Sequence, residues 1–114
     1  MTWAKVDDSF HSHPKVRAAW YRCGSAVGLQ VMAISYAADH ETDGAVPAWF
    51  VEGLLPKPKE RKLVISTLAD LIMLEEAGGD FAVHDFLDYN PSKADLAARR
   101  EREAERKRKA RAGG

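Results

Sequence analysis

The chain has 114 residues, 46% of them hydrophobic, with seventeen Lys/Arg balancing seventeen Asp/Glu. That is enough for one small domain plus an appendage, and it excludes a membrane-spanning helix, because no apolar run approaches the roughly 20 residues required. MTWAKVDDSF has no signal-peptide core and Cys23 stands alone, so a cytoplasmic location is expected and an intramolecular disulfide is excluded.

Trp3-Ala4-Lys5-Val6 alternates partly and predicts a short strand ended by Asp7-Asp8-Ser9. Ser12 or His13 then precedes Pro14, which opens a first helix carrying Val16, Ala19, Trp20 and Cys23 at helical spacing. Cys23 reads as a small core residue rather than a reactive thiol. Gly24 is expected to close this helix and Ser25 to cap the next. The second helix, Ala26 to about His40, is apolar almost all round and predicts a central, fully packed element. Glu41-Thr42-Asp43-Gly44 is a turn, and Ala45-Val46-Pro47 supplies a short strand.

A third helix is expected over Ala48–Leu55 and a fourth over Lys59–Ile72, joined by Lys57-Pro58. In the fourth, Val64, Leu68, Leu71 and Ile72 form the inward face, while Lys59, Lys62, Ser66, Asp70 and Met73 fall outside. Leu74–Ala77 and Phe81–His84 flank Gly78-Gly79 and read as a β-hairpin. Phe86, Leu87 and Tyr89 are expected to pack inward at the junction with the tail, with Asp85 and Asp88 lining it. Trp3, Trp20, Trp49 and Phe50 are read as core.

From Ser92 the chain is a basic helical tail, SKADLAARREREAERKRKARAGG. After Leu96 its only apolar residues are alanines, so it has no stripe to bury. Ser92 and Asp95 form a capping-box pattern, with Asn90 as the alternative cap. Asp95/Arg99, Glu103/Lys107 and Glu105/Lys109 are i, i+4 pairs that support the helix weakly. Nine bases (Lys93, Arg99, Arg100, Arg102, Arg106, Lys107, Arg108, Lys109, Arg111) face four acids, a net of +5. Residues 1–92 carry eight bases and thirteen acids, a net of −5. The neutral total thus hides two parts of opposite sign, and a cationic rod suggests an anionic partner, nucleic acid above all.

The element order predicts an α+β fold, mainly α: a winged helix-turn-helix over residues 1–91 with an added N-terminal strand and helix, followed by the basic tail over residues 92–114. The third and fourth helices would be the helix-turn-helix and the hairpin the wing. Trp3–Phe10 with His13–Val16, then Thr42–Pro47, then His84–Ser92 resemble, in that order, pieces of replication-initiation proteins of actinobacterial phages and prophages, which are similar to the winged-helix N-terminal domains of DnaD-like replisome organisers. The resemblance implies a DNA-binding module in the cytoplasm of a bacterial host and contact with the host replication machinery.

Within that frame the fourth helix is the reader, since a recognition helix presents its N-terminal residues to base edges. Lys57, Lys59, Arg61 and Lys62 cluster there, and Ser66 and Thr67 follow within reach of bases or phosphates. In the tail, Arg99, Arg100, Arg102, Arg106, Lys107, Arg108, Lys109 and Arg111 would lie along phosphates of duplex DNA. Glu75, Glu76 and Asp80 make the hairpin a poor phosphate grip. Two rival readings share the same residues: a protein-interaction adaptor acting on replication or transcription factors, and a phage transcriptional regulator. A homo-oligomer is compatible with all three. No catalytic motif or cofactor fingerprint is present, and no enzymatic activity is expected. His11-Ser12-His13 with Asp7 and Asp8, His40 with Glu41 and Asp43, and His84 with Asp85 lack a specific metal-ligand spacing. An aromatic platform for single strands would need two or three aromatic side chains outside the core.

Overall fold

The computed structural model describes residues 4–113. The expectations for Trp3 and for the Tyr89 side chain lie outside the described residues. A 3-10 turn, Phe10–Ser12, leads into α1 (Pro14–Arg22), and α2 (Gly24–His40) follows. Next come β1 (Ala45–Val46), α3 (Ala48–Leu54), α4 (Pro58–Asp70), β2 (Leu74–Ala77), β3 (Asp80–Val83), the single-turn α5 (Phe86–Tyr89) and α6 (Lys93–Gly113). This is a small, mostly helical α+β fold with one three-stranded antiparallel sheet in the order β1-β3-β2.

Ala26, Leu29, Ala33 and Ala37 line the buried side of α2, against Val16 and Ala19 of α1 and Val64 and Leu68 of α4. The small side chains on α2 let neighbouring helices approach closely. The sheet closes the other side: Val46 pairs with Phe81 and Leu74 with Val83, so the inward residues of three strands meet one core. Gly78 and Gly79 both have positive φ, as a two-residue hairpin loop requires. Gly44 is fixed twice over. Its φ is +104°, and a Cβ there would lie 3.0 Å from Phe86 Cβ.

Several expectations are corrected. Ala4–Val6 form no strand; instead the Asn90 side chain takes the strand partner's place. The Lys5 N–H donates to Asn90 Oδ1 at 2.8 Å, and Asn90 Nδ2 donates to the Lys5 carbonyl at 3.2 Å. Of the two residues offered ahead of Pro14, His13 caps α1 as one alternative had it, its Nδ1 accepting from the Lys15 N–H. The break between α1 and α2 falls at Cys23, whose backbone is extended, so Gly24 starts α2 rather than closing α1 and Ser25 caps nothing. α2 is not packed all round: Val31 and Met32 are exposed, while the polar Gln30 is buried and donates to the Met73 carbonyl. Trp20 and Trp49 are 63% and 65% exposed rather than core. Phe50 does pack against the core. Leu87 points outward, whereas Phe86 is buried as expected.

The end of α4 shows why Ile72 and Met73 exchange roles. The helix stops at Asp70 and Ile72 takes a left-handed conformation with φ +56°. Ile72 N–H then donates to the Ala69 carbonyl and Met73 N–H to the Leu68 carbonyl. This is a Schellman closure with isoleucine where glycine is usual. The reversal turns Ile72 outward and drives Met73 into the core.

The body and α6 together measure 61 × 30 × 20 Å, with a radius of gyration of 17.4 Å. A compact chain of about 100 residues has a radius nearer ~13 Å. The excess comes from α6, whose 21 residues make a rod about 30 Å long.

Candidate functional site

α4 is held by its inner face, where Val64, Thr67 and Leu68 are buried. Its solvent face therefore presents Lys59, Lys62, Leu63, Ser66, Ala69 and Asp70 at i, i+3, i+4 spacing. Lys57 and Lys59 flank Pro58 at the first turn, both exposed. Among the described residues, Lys57, Lys59 and Lys62 have no ion-pair partner. Ser66 is exposed, with its hydroxyl donating back to the Leu63 carbonyl at 3.0 Å. Asp70, the acid at the far end of this face, meets Arg22 of α1 at 2.9 Å, so its charge is offset.

Two of the expected contact residues have other work. Thr67 is 0% exposed and its hydroxyl donates to the Leu63 carbonyl at 2.8 Å, which satisfies it inside the helix. It presents nothing to a groove. Arg61 is half-buried and donates to the Leu55 carbonyl at 2.9 Å, clamping the end of α3 to the start of α4. It sets the angle between the two helices rather than extending into solvent.

The hairpin acids also differ from a bare negative edge. Asp80 accepts the Ala48 N–H at 2.8 Å and so caps α3 from across the sheet. Glu75 lies 2.9 Å from His84 Nδ1, whose Nε2 lies 3.1 Å from Asp85. Glu76 remains exposed without a partner among the described residues. No three His, Cys, Asp or Glu among the described residues converge on a cation-sized site. Of the other histidines, His13 caps α1 and His40 stacks on Tyr36 at a centroid distance of 4.2 Å.

α6 starts as its sequence pattern demands. The Ser92 N–H donates to Asp95 Oδ2 at 3.1 Å and the Asp95 N–H to Ser92 Oγ at 3.0 Å, a reciprocal capping box. Those bonds hold the Asp95 carboxyl below the usual carboxylate range. The body grips only the first turns. The Lys93 N–H donates to Asp43 Oδ1 at 2.6 Å, Leu96 faces Ala37, Ala38 and Phe86, and the Arg100 guanidinium is forked onto the Glu41 carboxylate. Arg100 keeps Glu41 below its ordinary value, and Glu41 raises Arg100 in return.

Beyond that anchor the charges sort by position. Lys93 to Glu105 holds four bases and four acids, so the whole +5 resides in Arg106, Lys107, Arg108, Lys109 and Arg111. Two rows run along the rod: Arg99, Arg102, Arg106 and Lys109 on one side, Arg100, Lys107 and Arg111 on another. Arg106 lies 3.7 Å from Glu103 and Lys109 3.9 Å from Glu105, both pairs exposed, so neither neutralises much. Arg99, Arg102, Lys107, Arg108 and Arg111 have no ion-pair partner among the described residues.

Sequence periodicity missed the exposed apolar residues. Leu63, half exposed, sits in the middle of the α4 face between Lys59, Lys62 and Ser66. Trp20, Tyr21 and Trp49 stand out of the surface. No signal in the sequence separates them from core aromatics, because helical spacing is the same on either face. No helix among the described residues is long and apolar enough to cross a membrane. No family model, curated protein or solved structure matches this chain.

Proposed function

We propose that the chain is a winged-helix DNA-binding protein of the phage replication-initiation kind. α3 and α4 act as the helix-turn-helix, the β2–β3 hairpin as the wing, α4 as the reader and α6 as an electrostatic clamp. The order α2, β1, α3, α4, β2, β3 with a β1-β3-β2 sheet supports the fold reading. The DNA reading is carried by the solvent face of α4. Lys59, Lys62 and Ser66 stand there without charged partners, beside Lys57, while the one acid at its far end is offset by Arg22. A helix offered N-terminus first, with its cations unspent, suits major-groove docking.

The replication role rests on the resemblance. Its three pieces meet in one corner of the molecule. Lys5 binds Asn90, Asp43 takes the first N–H of α6, and Ala45 pairs with Ala82 just before His84. On this reading those pieces build the socket from which the basic rod projects.

Lys59→Ala/Lys62→Ala tests the reading by fluorescence anisotropy on duplex DNA. Removing two cations that meet phosphates or bases should weaken binding about tenfold and lower the slope of log K against log salt by roughly 2. Leu63 supports a second reading, an adaptor that docks α4 on a protein, because an exposed leucine at the centre of a helix face fits a protein groove. Unchanged DNA affinity in the double lysine variant would hand the face to that reading.

A further inference from the structure

α1 carries a surface of another kind. Pro14–Arg22 holds Lys15, Arg17 and Arg22 and no acid. Trp20 and Tyr21 leave it 63% and 77% exposed. Arg17 precedes Trp20 by three residues and Tyr21 by four, so it lies between the two rings around the helix. Its Nη2 is 3.4 Å from the Tyr21 hydroxyl. Phe10, His11, Val16 and Val27 complete a groove of about 400 Å³ with these three side chains. A Cβ on Gly24 would lie 3.9 Å from Trp20 Cζ3, so the indole lies beside the start of α2.

We propose that this face of α1 binds single-stranded DNA, with bases stacked on Trp20 and Tyr21 and the backbone phosphates on Arg17. Stacking platforms combine exposed aromatic rings with interleaved cations, and guanidinium adds its own attraction to a base face. Arg22 is spent on Asp70, and the acids ahead of the groove are Asp7, held anionic by the Ser9 hydroxyl and N–H, and Asp8, so the cation offered to the strand is Arg17. Arg17 has no ion-pair partner among the described residues. The Arg22–Asp70 bridge also ties the end of α1 to the end of α4. The choice of DNA over RNA rests on the duplex reading of α4; the stacking surface itself uses none of the α4 or α6 residues.

The test uses the full chain and anisotropy with labelled oligo-dT, oligo-rU and a duplex. Trp20→Ala should weaken oligo-dT binding at least about fivefold and leave duplex binding within about twofold, while Trp20→Phe retains most of the affinity. Lys59→Ala/Lys62→Ala should do the reverse. Unmodified protein that binds oligo-dT but no duplex would refute the α4 reading and leave this one standing. Two results overturn the α1 proposal: wild-type oligo-dT affinity in Trp20→Ala, which a light-scattering mass falling from dimer to monomer would assign to self-association instead, or tighter binding of oligo-rU than of oligo-dT. Circular dichroism of each variant keeps the folded state in view, and an exposed side chain puts little of the core at risk.

Discussion

α4 and the outer half of α6 are both cationic helices, but they are held in opposite ways. α4 is fixed by three wholly buried side chains and by a clamp from Arg61 to Leu55. Residues 106–113 touch nothing in the body and are placed only by the helix that carries them. A charge on a fixed helix has a defined position against a groove and can contribute to recognition. A charge on a free rod contributes attraction without register. On the proposed function the same residue types would serve two different ends, and the body would decide which.

The most severe test of this division is to remove residues 106–114. Five cations leave without disturbing the packing of the body, so the thermal midpoint should stay put. Duplex affinity at low salt should fall about a hundredfold, and the slope of log K against log salt should flatten by up to roughly 4.5. A truncation that lowers the midpoint would mean that the rod is part of the fold. The lysine pair on α4 should act more weakly on affinity, near tenfold, but should alone change preference among duplex sequences. Sequence preference that follows the tail instead would reverse the assignment of roles.

These two helices also differ in how much of them could be read in advance. The capping box of α6, the Gly-Gly hairpin and the body of α4 are local, each set by a few adjacent residues, and stand where the pattern puts them, although α4 stops at Asp70 and not at Ile72. What failed depends on distant partners. Ala4–Val6 lacks a neighbouring strand and is paired by the side chain of Asn90, 85 residues on. Thr67 looks polar in sequence, but a threonine can satisfy its hydroxyl within its own helix and bury its methyl, and here it does. Trp20 and Trp49 carry the spacing of core residues, and only the packing of α1 and α3 reveals which side of each helix is covered. The cations of the candidate site were legible as a set; the separation of free ones from structural Arg61 was not.

Ile72 offers a smaller test on the fixed side. A β-branched residue at φ +56° carries backbone strain of about 1 kcal/mol, and this one is half exposed, so it has little packing to offset that strain. Ile72→Gly should raise stability by up to about 1 kcal/mol, or a few degrees in thermal midpoint, with duplex affinity unchanged. A destabilised variant would show that the exposed isoleucine packs more than its surroundings suggest.

The smallest effect concerns the boundary between the two regimes, the joint where α6 leaves the body. Glu41 is ordinarily a 4.5 acid, and the Arg100 guanidinium holds it lower in the folded protein. Its contribution to docking is thus fully present above that ordinary value and is lost as pH falls through the lowered one. Glu41→Gln removes the charge at every pH and should reproduce the acid state at neutrality. Asp43 still accepts from Lys93 in that variant, and the Ser92–Asp95 box still caps the helix. Loosening should therefore be confined to the stretch around Arg100, seen as faster amide exchange at residues 97–104 with 93–96 unchanged. Because the body holds none of the cations from Arg106 onward in either state, duplex binding should move little. If instead Glu41→Gln weakens binding as much as the truncation does, the rod must be aimed by its joint, and the outer cations of α6 would have register after all.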